Sequence, residues 1–212
     1  MSNGALIAGR RSRPIVQMIN FTLTYDGPLA SGGGSKPVVK KHAIRRHFHP
    51  QLQRWWETGP LAATLADIGN TGWQIFRFDP MTIDPGFTFV PLIYPELNCV
   101  CELDILMLKP ENPGRFIKND GELDNRLKLL FHALRIPKEK SEIPTDDEPS
   151  EDEKPYFFCL LQDDSLITKV AIRADRLLQP LRDPFTPDHI RLMIGVTIRA
   201  THLTNANFPI GT

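Results

Sequence analysis

Glu122, Asp124 and Lys128 lie within seven residues of one another, and a carboxylate pair, Asp163-Asp164, follows about forty residues later. Carboxylate oxygens gathered from two such stretches are hard donors. They suit a divalent cation such as Mg²⁺, with Mn²⁺ as a substitute, and such a cation suits phosphoryl chemistry. Hydrolysing a phosphodiester also needs positive charge on the transition state, and Lys128 is placed to supply it one helical turn from Asp124. The pieces taken singly have an ordinary reading as well. An acid–lysine pair at i, i+4 is common on exposed helices and contributes only about 0.2–0.5 kcal/mol, and Asp163-Asp164 before a strand is compatible with a simple turn.

These residues need elements to hold them. Leu123, Leu127, Leu130, Phe131 and Leu134 recur at helical spacing, which predicts an amphipathic helix from Glu122 to about Arg135. Asp124, Lys128, His132 and Arg135 form its polar stripe. Asp120 is a suitable N-cap, and Pro137 stops the helix. Within a continuous helix Glu122 and Asp124 point about 160° apart, at about 100° per residue. They converge only if Glu122 sits in a first turn that is not fully helical. That turn has free N–H groups and a positive dipole end, which favour carboxylates and phosphates.

Around the helix the pattern is mostly that of strands. Alternation predicts strands over Ile19–Tyr25 and Ile190–Ala200, with others over Trp73–Phe78, Phe87–Tyr94, Leu97–Leu108, Tyr156–Leu161 and from Asp164 to about Arg173. Pro50–Glu57 and Leu61–Ile68 read as helical. The expected fold is α+β, a single domain with a mixed sheet of about five to six strands and two main helices. Residues 1–14 read as a flexible basic tail and 15–205 as the folded domain. Residues 137–155, rich in Pro, Glu, Asp and Ser, are expected to be a mobile, disordered insertion. Its role stays open between a spacer, a mimic of nucleic acid and a partner-docking segment.

The 212 residues carry 25 basic and 25 acidic side chains. The neutral total hides a basic front end. Residues 1–56 hold nine Lys/Arg against one acid, whereas 137–156 hold eight acids against three lysines. Lys36, Lys40, Lys41, Arg45 and Arg46 therefore form a candidate phosphate-contacting strip, to which Lys118 and Lys128 are added. His42, His47 and His49 are interleaved with them but lack the partners of a metal site. Trp55 and Trp56 read as core or dimer contacts. Cys99, Cys101 and Cys159 do not resemble a secreted disulfide framework, and no stretch approaches the length of a membrane span. A cytoplasmic location is the expectation.

The motif resembles that of the RusA family of Holliday junction resolvases, Asp-x-Asp-Asn-x-x-Lys opening a helix and Asp-Asp at the next strand. Glu122, Asp124, Asn125 and Lys128 match the first part, and Asp163 and Asp164 the second. The resemblance spans roughly residues 17–56 and 97–200. It implies a homodimeric, Mg²⁺-dependent endonuclease that nicks four-way junctions or related branched DNA. It also implies Glu122, Asp124 and Asp164 as catalytic metal ligands, Lys128 as the essential lysine and Asp163 as an accessory acid. The chain departs from the family in having Glu122 for the usual Asp, Gly121 where some members are basic, a long acidic insertion and a greater overall length. A catalytically weakened protein of the same fold that binds structured DNA is the alternative.

Overall fold

The computed structural model describes residues 19–30, 37–60, 62, 80–83, 86–110, 112, 122–178, 188–204 and 207. Among them seven strands and two principal helices follow the order β1 (Ile19–Pro28), α1 (Pro37–Thr58), β2 (Met81–Ile83), β3 (Phe87–Ile93), β4 (Cys99–Lys109), α2 (Glu122–Leu134), β5 (Phe157–Leu161), β6 (Ile167–Arg176) and β7 (His189–Ala200). The architecture is α+β. The strands divide between two mixed sheets where one was expected, a four-stranded sheet ordered β1-β7-β4-β6 and a three-stranded sheet ordered β2-β3-β5. The expected helix Leu61–Ile68, strand Trp73–Phe78 and N-cap Asp120 lie outside the described residues, apart from residue 62.

Alternation sets the larger sheet. Cys101, Leu103, Ile105 and Met107 of β4 and Ile190, Leu192, Ile194, Val196 and Ile198 of β7 all point inward, because side chains two apart share a face. The inner face packs with α1 and α2 in one hydrophobic cluster. All three cysteines are buried free thiols. Burial pushes those of Cys101 and Cys159 up to about 12, so they serve as small core residues.

Two expectations need correction. Helix α1 begins at Pro37 and runs through Pro50, where the sequence suggested a helix start. Pro50 removes one backbone hydrogen bond, but Ile44, Phe48, Leu52 and Trp56 make a buried i, i+4 stripe across it. That burial keeps the helix continuous. The acidic insertion is also ordered. It forms 3₁₀ turns at Lys140–Glu142 and Glu151–Glu153, the second closed by a capping box between Ser150 and Glu153. Ile143 is buried with Ile136, Phe87, Phe89 and Phe157 in a second cluster. The physical reason is charge pairing with α1. Arg46 bonds both oxygens of Glu153 (2.7 and 3.1 Å) and lies 2.7 Å from Asp147. The His49 ring donates to the Asp152 carbonyl at 3.1 Å and accepts the Phe158 N–H at 2.9 Å. A segment with almost no apolar side chains is thus held by polar contacts that the composition alone does not reveal.

Candidate active site on helix α2

Strand β5 runs parallel to β3, and the chain leaves it beside the C-terminal end of α2, where the Ile136 N–H bonds the Leu161 carbonyl at 2.9 Å. This exit fixes where the carboxylate pair arrives. Asp163 caps the 3₁₀ turn Asp164–Leu166 by accepting the Ser165 N–H at 2.9 Å, and its other oxygen is 2.6 Å from Lys138 Nζ. The hydrogen bonds from Lys138 and Ser165 hold its carboxyl well below the usual carboxylate range. Asp164 points back toward the helix. Its Oδ2 lies 3.7 Å from His132 Nε2 and its Oδ1 3.9 Å from Arg135 Nε.

At the other end of the stripe, Asp124 Oδ2 is 2.6 Å from Lys128 Nζ, with both side chains about two-thirds exposed. Asn125 is exposed beside them. Glu122 is the first residue of α2, and its side chain lies outside the described residues. The face therefore reads, in order along the helix, Asp124, Lys128, His132 and then Asp164 arriving from the β5–β6 connection. The eight residues from Asp124 to His132 rise about 12 Å. Among the described residues no group of three His, Cys, Asp or Glu converges to hold a metal ion. The donors that are present, Asp124 and Asp164, are hard oxygens of the kind that suits Mg²⁺, and His132 adds a borderline nitrogen.

Behind the stripe two arginines are buried. Arg45 donates through Nε to the Arg135 carbonyl (3.1 Å) and through Nη2 to the His132 carbonyl (3.0 Å), while Nη1 meets His42 Nδ1 at 3.1 Å. It thereby satisfies carbonyls that the end of α2 leaves without intrahelical partners, and it complements the negative dipole end. Arg135 forms a fork with Glu142, at 2.8 and 3.0 Å, and bonds the Ile136 carbonyl at 2.8 Å. Burial alone would raise the Glu142 carboxyl, but the Arg135 bonds and charge hold it below its ordinary value. Partial burial, then the charges of Arg135 and Lys41, push His132 down, against the opposing pull of Asp164. At the N-terminal end, Arg126 is buried, bonds the Leu29 carbonyl and lies 3.4 Å from Asp188, which ties the motif's first turns to the β1–α1 connection and to the start of β7.

The expected phosphate strip divides. Arg45 is 1% exposed and faces protein carbonyls, so it is not a surface contact. Arg46 is engaged by Glu153, Asp147 and the Glu148 carbonyl. Lys40, Lys41 and Lys128 retain solvent exposure, while Lys36 and Lys118 lie outside the described residues. Charge at helical spacing looks alike whether it faces water or protein. The clue was that Arg45 falls one residue after Ile44, on the edge of the stripe that includes Phe48 and Leu52. Arg135 and Glu142 were not singled out as site residues, and the signal for Arg135 was its position at the end of the polar stripe.

Among the described residues no helix is long and apolar enough to cross a membrane. No protein-family model matches this chain, and no match was found to a curated protein or to a solved structure.

Proposed function

We propose that this protein is a metal-dependent endonuclease of the RusA type, acting as a homodimer on four-way junctions or related branched DNA. The observation that supports it is the exposed stripe of α2. Two motif residues, Asp124 and Lys128, lie on it beside each other, and Asp164 reaches the same helix from a separate stretch of chain. By the family resemblance Glu122, Asp124 and Asp164, with Asp163 alongside, would hold Mg²⁺ or Mn²⁺, which requires the two stretches to close on the ion, since no three of the described donors converge without it. When bound, such a cation polarises a phosphoryl oxygen and lowers the pKa of an attacking water. Lys128 exchanges Asp124 for a phosphate oxygen when DNA arrives, a low-energy exchange because both partners are hydrated. Lys40 and Lys41 add positive charge for the backbone of a flanking duplex arm.

The test is cleavage of a synthetic four-way junction with Mg²⁺ or Mn²⁺. Asp124→Asn and Asp164→Asn should each lower the cleavage rate by at least about 10²-fold and leave junction binding intact. Failure to cut junctions, flaps or forks with either metal would remove this reading. The rise of about 12 Å between Asp124 and His132, beside which Asp164 lies, favours a second reading, a catalytically weakened protein that binds structured DNA. In that case Asp124→Asn leaves binding unchanged or tighter, and binding needs no metal.

A further inference from the structure

We propose that the outer edge of strand β6 is the contact surface for a second copy of this chain, the two strands pairing antiparallel about a two-fold axis at Ile172. The inference gives the homodimer proposed above its surface and rests on that dimer alone, not on the nuclease chemistry.

Strand β6 ends the larger sheet. It pairs with β4, and among the described residues no strand lies on its other side. The opposite edge of the sheet is closed by α1. There the Gln51 side chain accepts the Thr24 N–H at 2.9 Å and donates to the Thr24 carbonyl at 2.8 Å. None of the ten residues of β6 is buried. Val170, Ile172 and Ala174 align with Leu103, Ile105 and Met107 of β4, so they share the inner face. Ile172 and Ala174 pack against the core, yet Val170 is 38% exposed. An edge strand with apolar side chains on one face is a template for another strand.

The order of residues selects the partner. Two strands related by a two-fold axis run antiparallel, and residues opposite each other share a face. With the axis at Ile172, that residue meets its own copy and Val170 meets Ala174, which extends the inner apolar layer. On the outer face Lys169 meets Asp175 at both ends, and Ala171 leaves room for Arg173. Both charges are accessible. Among the described residues Asp175 bonds only the Arg176 N–H, at 2.7 Å, and Lys169 reaches Glu102 at 3.5 Å with two-thirds of its side chain exposed.

Neighbouring registers fit less well. An axis at Ala171 sets Lys169 against Arg173, and an axis at Arg173 sets two arginines against each other. An axis at Ala174 pairs Arg173 with Asp175 but places Ile172 opposite Arg176 and leaves Ile167 to Ala171 unpaired. Basic residues on an edge ordinarily deter pairing. Here the strand brings a carboxylate to its own lysine when it meets itself about Ile172.

The experiment is sedimentation equilibrium of the full chain and its variants without DNA, with thermal melts as the folding control. The native chain should dimerise. Lys169→Asp sets carboxylates against each other at both ends of the contact and should weaken the dimer by about tenfold or more. Lys169→Asp combined with Asp175→Lys exchanges the charges and should restore the dimer to within about threefold. Disulfide trapping with oxidised glutathione reads the register. Opposed Cα atoms in an antiparallel pair lie about 4.5–5.5 Å apart, within disulfide reach. Ile172→Cys should therefore give a covalent dimer and Ala171→Cys should not, while the native cysteines are buried. A native chain that stays monomeric overturns the inference, even if the edge takes an extended segment of another protein. So does a dimer that Lys169→Asp leaves unchanged, or one trapped through Ala171→Cys and not through Ile172→Cys. Should Ile172→Cys fail to fold, the charge variants decide. A chain that cuts junctions but gives any of the overturning results keeps the nuclease reading. A dimer that behaves as expected but cuts no junction keeps this inference and loses that reading.

Discussion

The two ends of α2 carry the same kinds of charge in opposite surroundings. At the N-terminal end Asp124 and Lys128 pair at 2.6 Å, yet both remain about two-thirds in solvent. At the C-terminal end Arg45 and Arg135 are almost wholly buried and are held by backbone carbonyls, one histidine and one carboxylate. In water an ion pair gains little, because each partner is nearly as well solvated alone. Away from water the same charge cannot lose its partners without a large desolvation penalty. The first end is therefore free to exchange partners, as a ligand-binding surface must be, and the second is a fixed frame. Asp164 lies where the two regimes meet, about one-third exposed and close to the frame.

That contrast can be broken from its rigid side first. Arg45→Ala should destabilise the protein by about 3–5 kcal/mol, read from denaturant melts, because it leaves the last carbonyls of α2 and the Nδ1 of His42 without their Arg45 partner. If the loss is below about 1 kcal/mol, the capping role assigned to Arg45 is wrong. Acid sharpens the same point. Burial between Phe87 and Phe157, reinforced by the Arg45 and Arg46 charges, pushes His42 down to about 3. The unfolded chain takes up a proton near 6.5, and the folded chain does not until about pH 3. Stability should therefore fall progressively as pH drops below about 6.5, by several kcal/mol at most. A His42→Gln variant should show a shallower slope over that window. Equal slopes in the two proteins would mean that His42 is not the group responsible.

The clamp between α1 and the insertion comes next. Arg46→Ala strands the nearly buried Glu153 and should cost about 1–3 kcal/mol, with faster proteolysis or amide exchange between residues 144 and 153. Protection unchanged there would show that apolar contacts at Ile143 suffice to order the segment. The smallest effect belongs to the exposed end. Lys128→Ala should change stability by no more than about 0.5 kcal/mol while strongly reducing junction cleavage. A stability loss above that would mark Lys128 as structural and move it from the flexible end of the comparison to the rigid one.

The chain itself determined much of this arrangement. Period-two alternation in β1, β4 and β7 and the apolar stripe of α2 set which residues turn inward, since burial of a face depends on local spacing alone. The motif residues could be found for the same reason, as local spacing places Lys128 one turn from Asp124. What sequence order could not supply was the partner of each charge. Arg45, read as a surface cation, is buried because α2 ends against it, and the acidic insertion, which has too few apolar residues to fold by itself, is ordered because Arg46 and His49 face it across about a hundred residues of chain. Likewise Asp164 joins the third turn of α2, and not the first, because β5 pairs parallel to β3 and releases the chain there. Spacing decides which way a side chain points along its own element. Only packing between elements decides whether water, a carbonyl or an opposite charge is waiting for it.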